Sequence, residues 1–153
     1  MPYQLFWVIK DRVFYDNQTG NVTVEEIHDL TTQIADYLDD AYQTNPGIVI
    51  GILDMREANL SNLVQSPTPA GIRPITEAID PRIWKTKKGF TILITNRSHV
   101  KIIISLITML VSQPITTVAG FDEALDIAAN MYPELRAELA AWIGADPLAG
   151  AKR

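Results

Sequence analysis

The sequence predicts an α/β domain: a small mixed sheet of about five strands, opened by an antiparallel hairpin and otherwise largely parallel, with helices packed on it. Three observations carry this. Short runs rich in β-branched and aromatic residues alternate along the chain with stretches of helical period. Of these runs, 48–53 is continuously apolar, as a central strand covered on both faces is, and 90–95 reads as a second buried strand. The 153 residues, 47% apolar and 20% charged, suit one globular core. A single domain over 1–144 follows, with a flexible tail over 145–153 that ends on two basic residues.

Taken in order, Tyr3 to Ile9 and Arg12 to Tyr15 flank Lys10-Asp11 and read as the hairpin. Asp16 to Gly20 reads as a loop. Thr23-Val24-Glu25-Glu26 has the spacing of a capping box, in which hydroxyl and carboxylate satisfy two backbone N–H groups at a helix start. Ile27, Leu30, Ile34, Leu38 and Ala41 then fall on one stripe at steps of three and four, until Asn45-Pro46-Gly47 stops the helix. Ile48 to Leu53 is a buried strand whose carboxyl end Asp54 marks. Within the illegible stretch 55–88, Ser66-Pro67-Thr68-Pro69 is a loop and Arg73 to Ile79 a short helix. Phe90 to Thr95 is the next buried strand. Asn96-Arg97-Ser98 are cap candidates for a helix from about His99 to Val111, ended by Gln113-Pro114. Ile115 to Ala119 is the last strand, Phe121 to Met131 a helix, and Pro133 to Ile143 another, with proline at a first helical position.

Composition removes several functions. There is no cysteine, so disulfides, thiolate metal sites and a cysteine nucleophile are excluded. The first residues lack the basic start, apolar run and cleavage site of a signal peptide, which predicts a cytoplasmic protein. The most apolar stretch, Val100 to Val111, is shorter than the roughly 20 residues that span a bilayer. A net charge of −5 argues against a nucleic-acid partner, because affinity there comes from neutralising phosphates. Between Pro81 and Phe121 the charged residues are all basic: Arg82, Lys85, Lys87, Lys88, Arg97 and Lys101. Such a run is ordinarily a solvated face.

Ligands of parallel sheets bind outside the carboxyl ends of the strands. Those ends carry Asp54 and Arg56 after one strand, and Arg97, Ser98 and His99 after the next. If the two strands are neighbours, the five residues form a rim that could take an anion on free N–H groups at the helix start. The rival reading is ordinary capping and surface pairing. Ser98 and His99 are adjacent at a helix start and point about 100° apart, which disfavours a hydrolytic triad. A phosphoryl-accepting receiver domain would need an acidic pair after the first strand and Lys-Pro after the last, and both are missing. No Gly-rich phosphate loop or dinucleotide fingerprint occurs, and two histidines without cysteine make no transition-metal site. No cofactor is expected.

The helix 100–111 is apolar nearly all round, whereas a surface helix shows one stripe. One side packs on the sheet; the other calls for a cover. A second copy of the chain is the simplest, which makes Ile103, Leu106, Ile107 and Leu110 interface candidates in a homodimer. Cover by residues 55–80 or by the last helix of the same chain is the alternative, and an apolar ligand a third.

The order of elements, the opening Trp7 strand, Arg12-Val13-Phe14-Tyr15, Gly20-Asn21-Val22-Thr23-Val24-Glu25-Glu26, the strand ending in Asp54, and Phe121-Asp122-Glu123-Ala124-Leu125 together resemble the SpoIIAA-like, STAS-related proteins over about residues 5–130. The resemblance implies a SpoIIAA-like mixed-sheet domain that recognises proteins or small ligands without catalytic machinery. Members acting as anti-sigma factor antagonists carry a phosphorylated serine in an Asp-Ser-Ser-Gly-like turn. Here the region reads Asp54-Met55-Arg56-Glu57-Ala58-Asn59-Leu60-Ser61, so Ser61 is the phosphorylation candidate, without the following glycine.

The expectation is a non-enzymatic interaction or regulatory module, homodimeric, with a protein or small-ligand partner. A binder of an apolar or anionic small molecule is the second reading. A hydrolase using Asp54 and His99 is the third.

Overall fold

A computed structural model describes residues 3–45, 47–86, 89–109 and 114–142. Five strands, β1 (Tyr3–Ile9), β2 (Val13–Asn21), β3 (Val49–Asn59), β4 (Gly89–Ile94) and β5 (Ile115–Val118), form one sheet in the order β1-β2-β3-β4-β5. β1 runs antiparallel to β2 and the other pairings are parallel, which is the fold class the sequence predicts. The helices are α1 (Val24–Thr44), α2 (Arg73–Ala78), α3 (Pro81–Lys85), α4 (Ser98–Thr108), α5 (Phe121–Met131) and α6 (Arg136–Ala140).

A sheet that grows in one direction through right-handed crossovers carries its connecting helices on one face. α1, α2 and α4 accordingly cover the face bearing Phe14, Val49, Met55 and Leu93. The second face, with Val13, Tyr15, Ile50, Ile52, Ile92 and Ile94, is covered by α5 and α6 through Phe121, Leu125, Leu135 and Leu139. Along α1 the predicted stripe Ile27, Leu30, Ile34, Leu38 and Ala41 is buried, and the Thr23–Glu26 capping box is formed in both directions.

The structure departs from the sequence reading in four places. Residues 16–20 are strand, because β2 lies between β1 and β3: residues 16–18 pair with β1, and Asp16, Asn17, Thr19 and Gly20 pair with β3. β3 runs on past Asp54 to Asn59, pairing with Thr19, Gly20 and Asn21 after a register shift in which β3 carries one extra residue. α3 appears in the stretch that was illegible, started by Asp80, whose carboxylate accepts from the Arg82 N–H. The last predicted helix begins as a 3-10 turn over Pro133–Leu135 before α6. Leu110, the predicted helix ends at Val111 and Ile143, and the tail 145–153 lie outside the described residues.

Candidate functional site

The predicted rim divides between the two faces of the sheet. β3 and β4 are neighbours, but Asp54 sits inside β3, on the face of Ile50 and Ile52, and not at its tip. Its carboxylate is buried and fully engaged. The Tyr15 hydroxyl donates to Oδ2 at 2.7 Å, and the Arg56 guanidinium donates to both oxygens at 2.9 and 2.6 Å. The Arg56 backbone N–H adds a bond to Oδ1 at 3.2 Å. This is a completed internal ion pair, with no oxygen left over for a ligand.

Arg97, Ser98 and His99 belong to the opposite face. Arg97 precedes α4 without a side-chain cap, and its N–H donates to the Thr95 hydroxyl. Ser98 is exposed, and His99 lines an open cleft of about 290 Å³ with Ser61, Gln65, Ser66 and Ile102. The structure therefore joins Asp54 to Arg56, and Ser61 to His99, but does not bring the two pairs together. Ser61 is exposed at the start of a 3-10 turn, its hydroxyl donating to Asn59 Oδ1 at 2.7 Å.

α4 is half-sheltered by its own chain. Val100, Ile103 and Ile107 are buried in the core, so Ile103 and Ile107 are core residues and not contacts for a second copy. Leu106 is half-buried; Ile102 and Met109, at 48% and 78% exposed, form the open side. The basic run is partly spoken for: Arg82 reaches Asp36 and Asp39 on α1 as well as Asp80. That contact holds the Asp80 carboxyl below the usual carboxylate range.

The feature that sequence reasoning missed is a cavity of about 140 Å³ between the sheet and the helices α1, α3 and α4. Phe14, Leu53 and Leu93 line it from the sheet, Ile34 and Leu38 from α1, Ile83 from α3, and Ile104 and Ile107 from α4. Among the described residues around it none is charged, and only Thr31 and Thr91 carry a hydroxyl. The one sequence signal is Gly51 within an otherwise bulky strand, the mark of a close approach. A Cβ there would come within 2.4 Å of the Phe14 ring, so glycine is what lets that ring lie across β3 at the cavity wall.

Beside the cavity, also unread in the sequence, β2 buries three consecutive polar residues, Asp16, Asn17 and Gln18. Asp16 is 0% exposed and neither carboxyl oxygen has a hydrogen-bond partner. Burial pushes its carboxyl well above the usual range; Gln18 eases the charged form without completing a bond, and Asp54 adds to the rise. The described residues hold no cluster of three or more His, Asp or Glu able to bind a metal, and no helix among them is long and apolar enough to cross a membrane. No protein-family model, curated protein or solved structure matches the chain.

Proposed function

We propose that this α/β chain is a non-catalytic binding domain whose ligand is a small apolar molecule held between the sheet and α1, α3 and α4. The observation that carries the reading is the uncharged lining of the 140 Å³ cavity. An apolar cavity of about 150 Å³ stays dry and takes benzene, so the volume suits a ring or a short branched chain. The engaged state of Asp54 supports the same reading, since the one strongly polar pair of the central strands is occupied with itself. The SpoIIAA-like resemblance, which implies recognition without catalysis, agrees with it.

Toluene is the probe. A ligand that binds only the folded chain stabilises it by about 2.7 kcal/mol at a hundredfold excess over Kd. Toluene is expected to raise the melting temperature and to shift methyl resonances of Ile34, Leu53 and Ile104. Ile104→Phe, which fills the space from α4, abolishes the response without loss of stability. No response in the unmodified chain, or an equal one in Ile104→Phe, rejects the proposal.

A second reading, an interaction or regulatory module that pairs as a homodimer, rests on the exposed side of α4. Ile102 of α4 and Met109, which caps its carboxyl end, are large apolar side chains exposed to solvent. Sedimentation at high micromolar concentration tests it: a dimer that Ile102→Glu dissociates supports this reading, and a monomer removes it.

A further inference from the structure

A buried carboxyl without a partner is a rare thing to keep in a fold. An ionised carboxylate moved into a protein interior costs several kcal/mol or more, and an unpaired one recovers none of it. Asp16 nevertheless occupies the middle of the sheet. It lies opposite Leu5 of β1 and Leu53 of β3, and two residues on from Phe14, so it shares the face that α1 covers. Phe14 and Leu53 are at once its neighbours and walls of the apolar cavity.

The charge that acts on Asp16 opposes its ionisation. Asp54 of β3 acts on it directly. From α1, Glu26 and Asp29 act with Asp16 itself on the Tyr3 hydroxyl of β1, so three acids share that corner. The arginines of β3 and α3 are committed elsewhere. Arg56 of β3 holds Asp54 on the other face, and Arg82 of α3 holds Asp36, Asp39 and Asp80. His28 of α1 turns to the Ala78 carbonyl. Gln18, on β2 itself, is the single polar neighbour that eases the charge.

We infer that Asp16 is a proton-operated latch on the cavity side of the sheet: protonated, it lets α1 close over β2 and the cavity; ionised, it draws water into that face and weakens retention of an apolar occupant. The coupling is a population shift. An apolar ligand prefers the closed, protonated form, and its apparent affinity scales with the fraction of molecules in that form. By the same linkage the ligand favours the proton, and rising pH favours release. The inference rests on the cavity reading for its ligand, and on Asp16 alone for its pH dependence.

The experiment follows the Asp16 carboxyl by carbon NMR in the selectively labelled full chain and measures toluene affinity between pH 5 and pH 9. The expected result is a carboxyl that titrates well above the ordinary aspartate range, with affinity falling about tenfold per pH unit once ionisation of the free protein begins. In Asp16→Asn, or in Asp16→Leu should the amide misfold, the affinity is independent of pH. A carboxyl titrating in the ordinary range, or toluene affinity that is flat in the unmodified chain, overturns the latch and leaves the cavity reading intact. Toluene that binds at no pH overturns the coupling and the cavity reading together, while the titration still reports whether Asp16 is held protonated.

Discussion

Asp54 and Asp16 stand on adjacent strands with opposite fates. Asp54 is met by a guanidinium and a phenol, and Arg56 keeps 19% of its side chain exposed while completing the pair. Removing one partner of such a buried pair leaves the other charge uncompensated and costs about 3–5 kcal/mol. Arg56→Ala is expected to lose that much in urea denaturation, and Arg56→Ala combined with Asp54→Leu to recover part of it. Asp16, without a partner, has its folded-state pKa above the unfolded value, so the native chain binds the extra proton. Its contribution is intact below the unfolded aspartate pKa and is lost as pH rises through the folded one. Asp80 works the other way: the hydrogen bond from Arg82 lowers its pKa, and its contribution is lost as pH falls through that lowered value. Stability profiles against pH should therefore lose the decline that rising pH brings above the unfolded aspartate pKa in Asp16→Asn and part of their acid decline in Asp80→Asn.

The elements show which local signals survive packing. The Thr23 box formed because its hydrogen bonds close within four residues; Thr23→Ala should cost about 1 kcal/mol, read from the denaturation midpoint. The Gly71 backbone carbonyl accepts from Gln65, and a Cβ at Gly71 would lie 2.1 Å from the Ser66 carbonyl oxygen. That oxygen is backbone and cannot swing aside. Gly71→Ala is expected to cost about 1–3 kcal/mol, as overpacking does, and to speed amide exchange over residues 64–72. β2 and β3 were only half legible for a different reason. Their outer halves carry Asp16, Asn17, Gln18, Arg56 and Glu57, which in isolation read as loop, and the ladder overrides that preference: Asp16 and Asn17 pair with β1 and β3 alike, and Glu57 to Asn59 pair with β2.

Over the whole molecule, the one-directional winding of the sheet leaves its second face to whatever follows β5. Phe121, Ala124, Leu125, Ala128, Leu135 and Leu139 supply that cover, with the Trp142 ring stacked on Phe6 and tilted against Phe121 along its edge. A chain ended after Gly120 would expose Val13, Ile50, Ile52, Ile92 and Ile94 together. It is expected to lose its cooperative melting transition and to bind a hydrophobic dye, whereas a chain ended after Trp142 keeps both properties of the parent.

The order of the strands and of the helices other than α3, the apolar stripe of α1, the capping box and the class of fold were written in the sequence, because each depends on spacing between near neighbours and on the two periods of backbone structure. The cavity, the split of the predicted rim and the isolation of Asp16 were decided only by the tertiary structure. Which side of a sheet a residue meets depends on strand register, and whether a buried group finds a partner depends on side chains that can lie dozens of positions away: Tyr15 reaches Asp54 from β2, while among the described residues no donor completes a hydrogen bond to the Asp16 carboxyl.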